Sequence, residues 1–205
     1  MIKVVSFDIG GTIIKGNDDI QYSMDSLSHL TNKPRDEVKM AYRDIFQKRK
    51  GSFNDLVDLF CQRLNISVTN EIIEFFHGNF NQDSYLDKGI IDIVIKLKKR
   101  GYKVILFSNT SNLYIDKLGI DLKNLVDDIF YSYDIGYTKD EEESYKYIER
   151  KLGVFPSEIL HIGDSLNNDY LYPVKNGWNA LFYGYHDGVK CISKMEDIFN
   201  YLDEI

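Results

Sequence analysis

Short apolar, β-rich runs alternate along this chain with stretches of helical periodicity, and that alternation restricts the fold more than any other feature. The runs cover residues 2–7, 103–107, 128–131, 159–162 and 179–183. Each is nearly continuous in apolar residues, the pattern of a strand buried on both faces of a parallel sheet. A helical pattern over 90–100 ends in a basic turn followed by Gly101, and another over 141–152 stops at Gly153. Strand, helix and strand repeated in this way predict a doubly wound α/β sheet with right-handed crossovers.

One interval breaks the rhythm. About 95 residues separate the first run from the second, against the dozen or so that a crossover needs. The excess reads as helices. Pro34 opens one, with Val38, Ala41, Tyr42, Ile45 and Phe46 at helical spacing and Gly51 closing it. Ser52 can cap a second, carrying Phe53, Leu56, Val57, Phe60 and Leu64. Thr69 or Asn70 can cap a third, with Ile72, Ile73, Phe75 and Phe76. The expected organisation is a three-layer α/β/α Rossmann-like core of residues 1–17 and 87–205, with an inserted α-helical cap over 18–86.

Composition narrows the function classes. A length of 205 residues with 43% hydrophobic and 28% charged residues fits a soluble globular chain. The net charge of −7 argues against nucleic acid or an anionic membrane as partner. The one compact basic run, Lys48-Arg49-Lys50, reads as the complement of a helix dipole rather than a docking patch. Cys61 and Cys191 form no metal-binding or disulfide pattern and are expected as reduced thiols. No leader pattern precedes the first run and no apolar stretch is long enough for a bilayer, so a cytoplasmic protein is expected. Nothing in the sequence specifies an oligomeric state.

Ligands of open α/β sheets bind beyond the carboxyl ends of the strands. Asp8 follows the first run, Ser108 and Asn109 the second, and Asp164, Asn168 and Asp169 the fourth, while Lys139 lies downstream of the third. Residues remote in sequence thus converge on one edge. Asp8 and Asp164 together suit Mg²⁺, which takes a couple of carboxylates plus water and phosphate oxygens.

These segments resemble the four motifs of the haloacid dehalogenase superfamily, in its helical-cap subclass. Phe7-Asp8-Ile9-Gly10-Gly11-Thr12 is similar to the first motif, and Val104 to Phe107 followed by Ser108-Asn109 to the second. Residues Ser132 to Lys139 resemble the third, and Gly163-Asp164-Ser165-Leu166-Asn167-Asn168-Asp169 the fourth. The resemblance implies a Mg²⁺-dependent hydrolase acting on a small phosphorylated molecule. In that scheme Asp8 attacks phosphorus to form an aspartyl-phosphate, Ser108 and the Asn109 amide grip the phosphate, and Lys139 balances charge. Asp8, Asp164 and the Gly10 carbonyl would hold the metal, with Asp169 behind them or joined through water.

Two positions depart from the family pattern. Gly10 stands where its phosphatases usually carry a second aspartate, the general acid for the leaving oxygen. The expected substrate therefore has a good leaving group, as an acyl phosphate or anhydride does; Asp18 and Asp19 are other candidates for the acid. Asp140 follows Lys139 where proline is common. Competing readings are a phosphate-binding module without turnover, a dehalogenase acting on a carbon–halogen bond, and a phosphonate hydrolase using Lys39, Lys48 or Lys50. The stretch from Asp8 to Gly16 also resembles the first phosphate hairpin of actin- and hexokinase-type sugar kinases, whose second domain and adenosine loop are not visible here. Gly163-Asp164-Ser165-Leu166 spells an esterase nucleophile block by coincidence, with no Asp-x-x-His partner downstream. His161 inside the fourth run reads as a satisfied core residue, and His29 and His77 fall in the insert.

Overall fold

The computed structural model describes residues 1–16, 20–80 and 84–205. Asp18 and Asp19 lie outside the described residues. The five expected strands are β1 (Val4–Phe7), β4 (Lys103–Ser108), β5 (Asp128–Tyr131), β6 (Ile159–Gly163) and β7 (Asn179–Tyr183). A short edge strand β8 (Cys191–Ile192) extends them into a six-stranded parallel sheet of order β5-β4-β1-β6-β7-β8. Two more short strands, β2 (Ile14–Lys15) and β3 (Tyr85–Leu86), pair antiparallel where the chain leaves and re-enters this layer.

Alternation along the strands feeds two apolar layers. Val5, Phe7, Val104, Leu106, Leu160 and Ile162 face one side, against Ile90, Ile93, Val94 and Leu97 of α5 (Lys88–Lys99) and Ile198 of α10 (Asp197–Glu204). Val4, Ile105, Phe107 and Ile159 face the other, against Tyr145 and Ile148 of α8 (Glu142–Leu152). Sheet residues buried on both faces explain why the strands read as unbroken apolar runs. The result is the expected three-layer α/β/α arrangement.

The long interval folds as α1 (Ile20–Thr31), α2 (Arg35–Tyr42), α3 (Phe53–Arg63) and α4 (Asn70–Phe80). These helices enclose their own apolar cluster, in which Phe46 packs against Phe60, Phe76 and Phe80. Ser52 caps α3 as expected, accepting the Asp55 N–H, and Thr69 accepts the Ile72 N–H at the start of α4. The structure corrects the reading of the helix opened by Pro34. Its chain leaves α-geometry at Arg43 and continues as a π-helical turn, Arg43–Gln47, before ending at Lys48. Lys48 also does not simply complement a helix dipole: it is ion-paired to Glu141, 2.6 Å away on the sheet-bearing layer. The insert rests on α6 (Asn112–Lys117), whose Leu113 and Tyr114 pack against the insert's apolar cluster. Among the described residues no helix is long and apolar enough to cross a membrane.

Candidate active site

In this strand order the chain proceeds outward from β1 through β4 to β5, then returns to the other flank of β1 with β6. Crossovers therefore diverge between β1 and β6, and a crevice opens where they part. Asp8 follows β1 and Asp164 follows β6, one on each side of it.

Two glycines let the loops come together there. Gly11 has φ +68°, and a Cβ at that position would stand 2.0 Å from Asp164 Oδ2. A Cβ on Gly163 would fall 2.3 Å from Asp169 Cγ. At Gly10, by contrast, nothing lies within 4 Å of where a Cβ would be. The missing aspartate therefore has room to be accommodated.

Asp8, Asp164 and Asp169 each offer a carboxylate oxygen, and these oxygens lie within 4.8 Å of one another. The Lys139 Nζ donates to Asp8 Oδ1 and to Asp169 Oδ1, both at 2.6 Å. Lys139 itself is 1% exposed. Its backbone N–H donates to Asn109 Oδ1 at 2.9 Å, and its carbonyl accepts from the Tyr145 hydroxyl at 2.8 Å. Asn109 and Lys139 are thus joined directly, although they follow different strands. Ser108 closes β4, buried beside them. Asp164 accepts from Thr12 Oγ1 at 3.1 Å.

Both oxygens of Asp169 are engaged. Oδ2 accepts the Ser165 N–H at 2.8 Å, while Oδ1 takes His161 Nε2 at 3.1 Å in addition to Lys139. His161 is paired in register with Ser6 of β1, and its Nδ1 lies 2.9 Å from Ser6 Oγ. A neutral ring with its proton on Nε2 satisfies both neighbours, donating to Asp169 and accepting from Ser6. His161 is the satisfied core residue that the sequence suggests. It is also the inner support of the acidic cluster, a role only the register of β1 and β6 reveals.

Charge states follow from this crowding. Burial pushes Asp8 up to about 7, against the pull of Lys139 and with help from Asp169. Burial would lower Lys139, but Asp169 and Asp8 outweigh it and hold the ammonium above its ordinary range. Burial would likewise raise Asp169, yet Lys139 and His161 keep its carboxyl well below the usual carboxylate range. His161 is pushed down to about 4, first by burial and then by Lys139. Desolvation raises Asp164 and neighbouring Asp169 adds to it, with Thr12 pulling the other way.

Sequence reasoning gave no role to Tyr145 or Arg43, quoted Thr12 only as part of the first motif, and read Lys48 as a helix-end charge or Schiff-base candidate rather than as a partner of Glu141. Arg43 Nη1 lies 2.8 Å from Asp140 Oδ2, and the Lys48 ion pair falls on the next residue, Glu141. Lys15 was also not foreseen; its ammonium contacts the Gly11 carbonyl and sits 4.6 Å from the Tyr183 ring centre. None of the three lysines considered for a Schiff base is buried: Lys39 and Lys50 are exposed and Lys48 is half-buried in its ion pair. His77 stacks on Phe53 within the insert.

A parallel sheet of this order, with an acidic cluster and a buried lysine at the divergence of its crossovers, defines a class of α/β hydrolases. The chain belongs to the haloacid dehalogenase-like hydrolases, whose family model matches residues 2–171. It is 24% identical over 217 aligned positions to a phosphoglycolate phosphatase of Aliivibrio fischeri, covering 98% of this chain and 95% of that one. It is 26% identical to a D-ribitol-5-phosphate phosphatase of Bacteroides thetaiotaomicron, covering 83% and 87%. A haloacid dehalogenase family enzyme of the same bacterium, solved with magnesium and inorganic phosphate, shares the fold with a TM-score of 0.64. That structure is 18% identical, with 92% of this chain and 98% of that one covered.

Proposed function

We propose that this chain is a Mg²⁺-dependent phosphatase that transfers the phosphoryl group of a small molecule to Asp8 and then to water. The observation that carries the reading is the buried Lys139 ammonium, 2.6 Å from Asp8 within a cluster of three carboxylates. The phosphatase names of the two relatives support the reaction class.

The residues present fit a divalent cation. Among the described residues the three carboxylates outnumber the ammonium groups that act on them, Lys139 and, at Asp164, Lys15, and carboxylate oxygens are the donors Mg²⁺ prefers. Asp8, Asp164 and the Gly10 carbonyl would hold it, with Asp169 acting from behind because its own oxygens are occupied. When bound, Mg²⁺ supplies neutralising charge for Asp8 and the phosphoryl oxygens.

The chain's own residues account for the rest. Ser108, with the Asn109 backbone N–H and side-chain amide, binds phosphate oxygens, since Asn109 Oδ1 is already turned to Lys139. A carboxylate oxygen of Asp8 forms the new bond to phosphorus as the bond to the leaving oxygen breaks, and the leaving group departs with that electron pair. Water then attacks phosphorus, the bond from phosphorus to the Asp8 oxygen breaks with its electron pair on Asp8, and phosphate leaves carrying the protons of the water. Lys139 stays protonated and balances charge on Asp8 throughout. Gly10 offers no side chain to protonate the leaving oxygen, so the substrate class is a small phosphate compound whose leaving group needs no proton, such as an acyl phosphate or anhydride. Residues 18–86 act as a cap that closes over the crevice and excludes water.

The test is Mg²⁺-dependent hydrolysis of acetyl phosphate and p-nitrophenyl phosphate, beside Asp8→Asn. Turnover of both, abolished in the variant and by chelation, is the expected result. Bound Mg²⁺ with neither substrate hydrolysed would instead establish a binding module without turnover, the alternative that the absent acid at Gly10 raises.

A further inference from the structure

The turn that carries Lys139 is crowded with negative charge. Thr138 Oγ1 lies 2.5 Å from Asp140 Oδ1 and 2.9 Å from Glu141 Oε2. Its single hydroxyl proton cannot serve both carboxylates at once. Two acidic side chains therefore share one donor directly after the buried lysine, and like charges this close repel. Part of the turn's hold is internal: Glu141 also accepts the Thr138 N–H at 2.9 Å, and the Glu141 N–H donates back to the Thr138 carbonyl at 3.0 Å. The neutralising charge comes from elsewhere.

It comes from the inserted helices. Arg43 Nη1 is 2.8 Å from Asp140 Oδ2 and Lys48 Nζ is 2.6 Å from Glu141 Oε1. Arg43 opens the π-helical turn and Lys48 follows its last residue, so this one widened turn delivers both cations to adjacent acids. Arg43 Nε is buried with no hydrogen-bond partner among the described residues, which leaves Asp140 as the closest acceptor of this guanidinium. Three residues past Lys48, Gly51 exchanges backbone bonds of 3.2 and 3.1 Å with the Asn112 side chain, just beyond the loop of Ser108 and Asn109. The insert is therefore pinned beside both of the loops that meet in the Asn109–Lys139 hydrogen bond.

We propose that Arg43 and Lys48 are positioning residues for Lys139: seated on the core, the inserted helical unit neutralises Asp140 and Glu141 and so sets the turn from which Lys139 reaches Asp8. The proposal rests on the phosphatase reading for the role of Lys139, and it explains why an acid can occupy position 140. Withdrawal of the insert leaves two uncompensated carboxylates, and the turn relieves them by opening. Seating and placement of the lysine become one event, so the turn that carries Lys139 is charge-balanced only when the insert is seated.

A docking contact and a positioning contact differ in what they change. A partly exposed ion pair that merely joins two surfaces is worth at most about fivefold in an equilibrium. Misplacing a charged group by about 1 Å costs on the order of a hundredfold in rate.

Charge reversal separates the two. Arg43→Asp and Asp140→Arg are made singly and together, with Lys48→Glu and Glu141→Lys as an independent second pair. The kcat and KM for Mg²⁺-dependent p-nitrophenyl phosphate hydrolysis are measured separately, and amide exchange of residues 138–141 is followed by mass spectrometry. Each single variant is expected to lose about tenfold or more in kcat, with KM within about threefold and faster exchange at 138–141. The Arg43–Asp140 double swap is expected to recover most of both, and the Lys48–Glu141 swap part of both, because a lysine at 141 cannot accept the Thr138 bonds that Glu141 accepts. Single variants with unchanged kcat and unchanged exchange, or failure of both swaps to recover either, overturn the proposal. Should the unaltered protein hydrolyse nothing, the phosphatase reading fails, and exchange alone decides: acceleration in the single variants and recovery in the swaps sustains the positioning role, and no change sinks it.

Discussion

The ammonium of Lys139 lies 2.6 Å from Asp8 Oδ1, joining residues 131 positions apart in the chain through a buried ion pair. The proposed chemistry depends on it, and so does part of the stability. Removing one partner of such a pair leaves an uncompensated buried charge and costs about 3–5 kcal/mol. Lys139→Met is therefore expected to lower the unfolding free energy by that order, read from urea unfolding, and to abolish turnover. Adding Asp169→Asn removes one stranded charge, so the double variant should regain part of the stability and none of the activity. Lys139→Arg should not rescue either property, because a planar guanidinium does not fit a site shaped for a compact ammonium.

Proton binding provides the second prediction. Asp8 is raised from 3.8 to about 7 by burial, so its contribution to stability is complete below its unfolded value and is lost as pH rises through about 7. Asp169 is depressed chiefly by Lys139 once burial is overcome, so its contribution is present above the ordinary carboxylate range and lost as pH falls below it. Metal-free protein should accordingly be most stable near the ordinary carboxylate range, weaken as pH rises from there to about 7, and lose nothing further from Asp8 above it. Mg²⁺ favours ionised Asp8 and should remove most of that loss between the carboxylate range and neutral pH. Calorimetric titration at about pH 6 in buffers of different ionisation enthalpy should show release of roughly one proton on Mg²⁺ binding, falling toward zero above about pH 8. Proton release that does not vary with pH would exclude Asp8 as a ligand that titrates in this way.

Much of this arrangement could be read before any coordinates. The strands were legible because burial on both faces makes them continuous apolar runs, and their ends were legible because Asp8, Ser108 and Asp164 are polar residues set directly against those runs. The insert announced itself by length alone. What stayed hidden depends on contacts between distant segments. Arg43 and Asp140 are 97 residues apart and Lys48 and Glu141 are 93 apart, and no local periodicity marks either pair. The basic run containing Lys48 has a sufficient local explanation at a helix end, which is why its real partner was overlooked. His161 was legible as buried but not as bonded to Asp169, because that follows from the pairing of Ser6 with His161 across β1 and β6.

His161 leads to the third prediction. Burial and Lys139 hold the ring neutral, with its titration near 4. The ring should therefore add no step to the pH–rate profile near the ordinary histidine value. His161→Leu deprives Asp169 of one donor and leaves the Ser6 hydroxyl without its acceptor in an apolar layer. A cost of about 1–3 kcal/mol is expected, read from the urea midpoint. His161→Gln, which keeps a donor, should lose less. Equal losses in the two variants would show that ring packing against Phe107 and Trp178, rather than the bond to Asp169, is what matters.

In the proposed mechanism Gly10 restricts the site to substrates whose leaving group needs no proton. Nothing lies within 4 Å of the position a Cβ would take there, so Gly10→Asp is expected to fold without strain and to place a carboxyl at the mouth of the crevice. General acid assistance is worth about 10²- to 10⁴-fold, and its benefit grows with the basicity of the leaving oxygen. Across a series of phosphate monoesters, the unaltered protein should show kcat/KM falling steeply as leaving-group pKa rises. Gly10→Asp should flatten that slope, with the largest gain on alkyl phosphates and little change on acetyl phosphate. A shallow slope in the unaltered protein would mean that another residue already donates the proton and that the leaving-group restriction argued from Gly10 is wrong. A steep slope that Gly10→Asp leaves unchanged would mean that the introduced carboxyl does not reach the leaving oxygen.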